Sequence, residues 1–217
     1  MQKVKNLVHK FEVDQQKAIY QKNLEFVLQG HLQTLNVDDC QPDGPRPRPP
    51  REGCIEAVCN RLQPYECDSQ SDIEKVAEMC RGVRDGQCID IVCKNLPSYL
   101  CDSKSDLQEV VQMCNRRVSG KCMEVTCNHL NSYDCDSKNE MREIAEMCGP
   151  RVSGECMNYV CSKLNSYECD SQREMQEVAR VCTGVRSGCV EYVCSRLNPW
   201  ECDSSSDFEK IADQCRN

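Results

Sequence analysis

The chain has 217 residues, 21 of them cysteine, and a formal net charge of −8. Cysteine at this density signals disulfides made in an oxidising compartment, because cytosolic thiols are kept reduced. The charge is uneven: residues 1–52 carry 8 Lys/Arg against 7 Asp/Glu, and residues 53–217 carry 19 against 28. An acidic body of that kind repels a phosphate backbone, which argues against nucleic acid as a partner.

Residues 1–38 read as an N-terminal helical segment. Apolar marks stand at Val4, Leu7, Val8 and Phe11, then at Ile19, Leu24, Val27, Leu28, Leu32 and Leu35, with charged residues and Gln between them. The spacing fits one long amphipathic helix or two short ones. Such a helix needs an apolar partner: the rest of the chain, another copy or another protein. The stretch Met1 to Lys10 holds Lys3, Lys5 and Lys10 and no continuous apolar run, so no secretory leader is visible. The expectation is a leader absent or removed and an extracellular or periplasmic location. No stretch of the sequence approaches the roughly 20 apolar residues of a membrane-spanning helix.

Residues 39–53 form a linker. Five prolines (Pro42, Pro45, Pro47, Pro49, Pro50) stand among Arg46, Arg48 and Arg51. They forbid a regular helix and favour extended polyproline II, a semi-rigid spacer.

Residues 54–217 are an array. Four cysteines at C-x4-C-x7-C-x12-C recur five times, in units 54–87, 88–121, 122–155, 156–188 and 189–217, starting 34 residues apart three times and 33 once. A fixed period of this size is the mark of stacked repeats. The second half of each unit opens with Ser and, three residues on, Asp or Glu: Ser69/Asp72, Ser103/Asp106, Ser137/Glu140, Ser171/Glu174 and Ser204/Asp207. That is capping-box chemistry, with acid at the positive end of the helix dipole. An apolar stripe at i, i+3, i+4, i+7 follows, as in Ile73, Val76, Ala77, Cys80 or Phe208, Ile211, Ala212, Cys215, and predicts that the fourth cysteine is buried. The first half is a shorter helix, such as Cys54 to Leu62. A glycine one or two residues before each first cysteine (Gly53, Gly86, Gly120, Gly154, Gly188) reads as a break from the preceding helix. Each unit is therefore a helical hairpin. The fold class expected is all-α: five disulfide-stapled hairpins stacked as an α-solenoid, preceded by the N-terminal helix.

Hairpin geometry narrows the cysteine pairing. The start of the first helix lies beside the end of the second, which favours first-to-fourth and second-to-third bridges. These are Cys54–Cys80, Cys59–Cys67, Cys88–Cys114, Cys93–Cys101, Cys122–Cys148, Cys127–Cys135, Cys156–Cys182, Cys161–Cys169, Cys189–Cys215 and Cys194–Cys202. Cys40 is then unpaired or intermolecular. The rival scheme joins each fourth cysteine to the first of the next unit and pairs Cys40 with Cys54. The constant first-to-fourth separation of 26 favours the former, because the fourth-to-first separation falls from 8 to 7 in the last gap.

Nothing in the sequence calls for catalysis, a cofactor or a metal. No C-x-x-C occurs, and His9, His31 and His129 do not recur with the units. A thiolate metal store is the weakest reading, since closely paired thiol ligands are missing. One recurring feature has no obligatory structural role. An aromatic residue stands two positions before each third cysteine: Tyr65, Tyr99, Tyr133, Tyr167 and Trp200. An acid follows in four units (Glu66, Asp134, Glu168, Glu201), and Leu100 breaks the pattern. Each ring either packs over its own turn and disulfide, or belongs to an aromatic ladder edged with carboxylates that binds a partner. Positions 57, 91, 125, 159 and 192 (Ala57, Ile91, Val125, Tyr159, Tyr192) stay apolar while varying in size, as a diversified surface or an inter-repeat contact would. The sequence points to a non-enzymatic interaction scaffold with a protein partner. The alternative is self-assembly as a structural subunit of an appendage or envelope assembly.

Overall fold

The computed structural model describes residues 2–30, 52–83, 86–115, 117–186 and 188–216. Cys40, Leu32, Leu35 and the proline-rich stretch up to residue 51 lie outside these ranges, as do the side chains of Ile19, Leu24, Val27 and Leu28. The described chain is all-helical and falls into two compact units, Met1–Arg48 and Pro49–Asn217. The first holds α1 (Gln2–Gly30), one unbroken helix, on which Val8 and Phe11 are buried.

The second unit is five helix pairs in a repeat-like arrangement. They are α2 (Glu52–Cys59) with α3 (Gln70–Met79), α4 (Gln87–Asn95) with α5 (Lys104–Cys114), and α6 (Gly120–His129) with α7 (Lys138–Met147). Then come α8 (Gly154–Lys163) with α9 (Gln172–Val181), and α10 (Cys189–Cys194) with α11 (Ser205–Cys215). A three-residue 3-10 turn joins the two helices of every pair. Each first helix packs on the next first helix from α2 to α10, and second helices pack on each other, α5 on α7 and α9 on α11. The first helices therefore pack in sequence order from one pair to the next.

Ten bridges staple the pairs. First and fourth cysteines are joined in every pair, at a separation of 26, and second and third at a separation of 8. The Cα–Cα distances run from 5.5 to 6.0 Å, the span a disulfide needs. The 3-10 turn brings each third cysteine back to the second: Cys67 is the residue that ends the turn, ahead of the helix start at Gln70. All five fourth cysteines are buried, at no more than 1 % exposure.

Serine starts every second helix. Ser69, Ser103, Ser137, Ser171 and Ser204 each accept the backbone N–H three residues on, at 3.1 to 3.4 Å. The reciprocal half of the capping box forms only where the acid is glutamate: the Ser137 and Ser171 N–H groups donate to Glu140 and Glu174 at 3.0 and 3.2 Å. Aspartate is one methylene shorter, and in the other units its carboxylate takes the serine hydroxyl instead.

The glycines before the first cysteines have a different reason from the one their position suggests. Gly120 and Gly154 lie inside their helices, after the N-caps Ser119 and Ser153. A Cβ at Gly154 would stand 2.6 Å from the Cys122 nitrogen, and one at Gly86 would stand 2.1 Å from the Gly53 oxygen. Successive first helices cross backbone to backbone there, and only glycine fits. Gly188 alone acts as a breaker, at φ 76.

The core lies between pairs as well as within them. Leu107, Met141, Met175 and Phe208, equivalent positions on the second helices, are fully buried. The Met123 sulfur lies 3.4 Å from the Cys88 sulfur of the previous pair. Because a bridged cysteine has no proton to donate, this is a soft van der Waals contact between polarizable atoms. Ala57, Ile91 and Val125 are buried, and Tyr159 meets Phe208 of the next pair edge-on, with ring centroids 6.5 Å apart. Those varying positions pack neighbours together. Link residues tie the pairs further: the N–H groups of Ser119, Ser153 and Arg186 donate to the carbonyls of Cys148, Cys182 and Cys215 at 2.8, 3.2 and 3.3 Å.

A candidate binding ladder on the hairpin turns

The five aromatic residues occupy the middle of the five 3-10 turns, Pro64–Glu66, Ser98–Leu100, Ser132–Asp134, Ser166–Glu168 and Pro199–Glu201. The rings are largely open to solvent, and the Tyr167 hydroxyl accepts from the Asn165 amide beside its own turn at 3.2 Å. Tyr65, Tyr99, Tyr133, Tyr167 and Trp200 are exposed by 63 to 70 %, and Ile73 is the other large apolar side chain in that class among the described residues. One exposed ring therefore recurs at the equivalent place in each of the five turns.

The turn itself explains why the ring points out. In three units the acid after the ring folds back to the residue that precedes the turn. Glu66 accepts the Gln63 N–H at 3.1 Å, Glu168 that of Asn165 at 3.2 Å, and Glu201 that of Asn198 at 2.9 Å. The Asn165 and Asn198 amides reach the same carboxylates at 3.1 and 2.7 Å. These acids close the turn and pin the ring's neighbours. The exception at Leu100 follows from Pro97, which takes the place of Gln63 and has no N–H to be held. The carboxylates next to the rings are thus structural, which the spacing alone does not distinguish from a binding edge.

A second set of acids stands free. Asp68, Asp102, Asp136 and Asp203, each directly after a third cysteine, are exposed, and among the described residues no hydrogen bond or ion pair engages them. The fifth member, Asp170, is drawn to Glu174, and desolvation first, then that neighbour, raises its pKa.

The lysines near the turns are already committed. Lys138 reaches back to Asp106 and Glu109 of the previous pair at 2.7 and 2.9 Å, and Lys104 to Asp72 at 3.8 Å. The Lys138 ammonium, then the Ser103 hydroxyl, hold Asp106 below the ordinary carboxylate value, and Asp106 in turn raises Lys138. Ser205 donates to Glu168 of the previous pair at 3.4 Å. Lys104, Lys138 and Ser205, at the starts of three second helices, thus each reach the preceding unit at or just after its turn.

His129 ends α6 on the surface, and His9 lies 3.7 Å from Glu12 on α1. A shallow groove of about 430 Å³ between α7 and α9 is lined by Glu143, Gln176, Arg180 and Thr183 among others, with no histidine or thiol. The twenty cysteines of the array are in bridges and offer no thiolate for a metal. No helix of the described residues is long and apolar enough to cross a membrane. No protein-family model matches the chain, and no curated protein or solved structure is similar to it.

Proposed function

We propose that the protein is a non-enzymatic interaction scaffold of the extracellular space or periplasm. The disulfide-stapled array serves as a rigid solenoid that presents the aromatic ladder to a protein partner. The observation that supports this reading is the exposure of one aromatic ring per unit, at equivalent places, on turns each closed by a disulfide and, in three units, by a capping acid as well. Ten intrachain bridges fit an oxidising compartment, and a rigid display limits the entropy lost when a partner binds. Aromatic anchors with a polar rim are what binding hot spots are made of.

The test is replacement of Tyr99 and Tyr133 by Ala in one chain. Both rings are exposed, so helicity and the thermal midpoint should stay within the range of ordinary surface substitutions. Affinity for the partner, found by crosslinking in the source compartment and remeasured with purified protein, should fall by about tenfold or more. Unchanged affinity would remove the ladder from the interface. Light scattering on the unmodified protein addresses self-assembly: concentration-dependent growth in mass would favour the structural-subunit alternative.

A further inference from the structure

Resting on the ladder reading, the partner's chemistry can be taken further. Each turn pairs an exposed ring with an aspartate three residues on, and in the first three units that aspartate is exposed and unengaged: Tyr65 with Asp68, Tyr99 with Asp102, Tyr133 with Asp136. The acids adjacent to the rings are spent on the turns, and Lys104 and Lys138 are held by carboxylates of the preceding units. Each of the first three units therefore offers a ligand one exposed ring and, three residues on, one unengaged negative charge. Cations recognise both: a guanidinium or ammonium stacks on an aromatic ring and pairs with a carboxylate. The array already shows the first half of this, with the Arg196 guanidinium 3.6 Å above the Tyr192 ring.

The period sets the ligand's form. Packed helices lie roughly 8–10 Å apart, so ring-and-aspartate pairs recur at about that interval along the row. A polyproline II chain rises 3.1 Å per residue with three residues per turn, so one turn advances about 9 Å. An α-helix would need about six residues for the same advance, which turns equivalent side chains off the common face. We infer that the ladder of the first three units takes an extended, polyproline II-type peptide carrying Arg or Lys at every third residue. Its intervening prolines would hold the extended form, so that each cation meets a ring and its aspartate in register.

The experiment uses the full oxidised chain and labelled synthetic peptides followed by fluorescence anisotropy. One peptide has five Pro-Pro-Arg triplets. A second has the same composition with the arginines grouped at one end, and a third has Glu in place of Arg. The periodic Arg peptide should bind about tenfold more tightly than the grouped one, and the Glu peptide should not bind. Asp102→Asn with Asp136→Asn should weaken the periodic peptide by about five- to tenfold and flatten its salt dependence, with the circular-dichroism melt unchanged. Equal binding of periodic and grouped peptides, no binding by either, or no loss on neutralising the aspartates overturns the inference. If the array's binding to its crosslinked partner still needs Tyr99 and Tyr133 while the arginine peptides fail, this inference falls and the scaffold reading survives. If that partner too is indifferent to the rings, both fall.

Discussion

Thr126 is the one buried polar side chain among the described residues, with no measurable exposure. The same place in the other units holds Val58, Val92, Val160 and Val193, all buried. Its hydroxyl lies 3.9 Å from the Cys148 sulfur, which accepts weakly and is bridged to Cys122. A hydroxyl taken out of water costs about 1–3 kcal/mol unless a good acceptor replaces the lost water, and a bridged sulfur is a poor one. Thr126→Val keeps the shape and restores the residue of the other four units. It should raise the unfolding free energy by about 1 kcal/mol in urea, with an unchanged slope. A loss of more than about 0.5 kcal/mol would show instead that the hydroxyl–sulfur contact holds the third unit together. The sequence shows the odd threonine at once, since the repeats align it with valines. That it is sealed in follows from its place on α6, and only the structure gives that.

At the level of the element, local spacing was enough to place the hairpins, because each helix carries its own start signal. Serine and its acid three residues on mark every second helix, and the stripe that ends on a cysteine fixes the buried face. Two features were illegible. The outward aim of Tyr65 and its equivalents depends on how Glu66, Glu168 and Glu201 fold back, and the glycines at 86, 120 and 154 answer to Gly53, Gln87 and Cys122 of the preceding units. Neither depends on local propensity. The caps also make a pH prediction. Asp72, Glu124 and Glu174 are held low by Ser69, Lys121 and Ser171, and Asp106 by Lys138 and Ser103. A carboxyl whose folded pKa is depressed adds stability that is present above its unfolded value of about 4 and is lost as pH falls through the folded value. Lys138 is raised, so its share is present below about pH 10.4 and is lost only above that. Asp170 is raised and works the other way, gaining as pH falls, but it is one group against four. The thermal midpoint should therefore be level from about pH 5 to 9 and drop below about pH 4, and Lys138→Met should make that acid drop shallower. An acid limb unchanged by Lys138→Met would mean that the charge ladder between second helices adds nothing to folding.

Across the whole molecule, the stability of a repeat array is set by what each unit contributes and by what its neighbours cover. The bridges supply the first part: in the chain-entropy account each 26-residue separation is worth about 3.5 kcal/mol and each 8-residue one about 2.5. The second part depends on position. The sequence gives every second helix the same leading apolar residue, Ile73, Leu107, Met141, Met175 or Phe208. In four units it is fully buried, yet Ile73 is 43 % exposed. Phe208 meets Tyr159 of the preceding hairpin, a contact for which the first hairpin of the array has no hairpin before it, while Met141 and Met175 touch the Cys127 and Cys161 sulfurs of their own hairpins. The same position of the repeat is thus closed to water in four units and open in the first. Met141→Gln should cost about 2–4 kcal/mol, since it places an amide where Met141 lies in contact with the Cys127 sulfur at 3.9 Å and is closed to water. Ile73→Gln should cost less than about 1 kcal/mol. Hydrogen exchange would locate the damage: protection should fall across α5 to α9 in the first variant and only in α2 and α3 in the second. Equal costs for the two would mean that the hairpins hold themselves up singly, by sulfur alone, and that the stack adds no cooperativity.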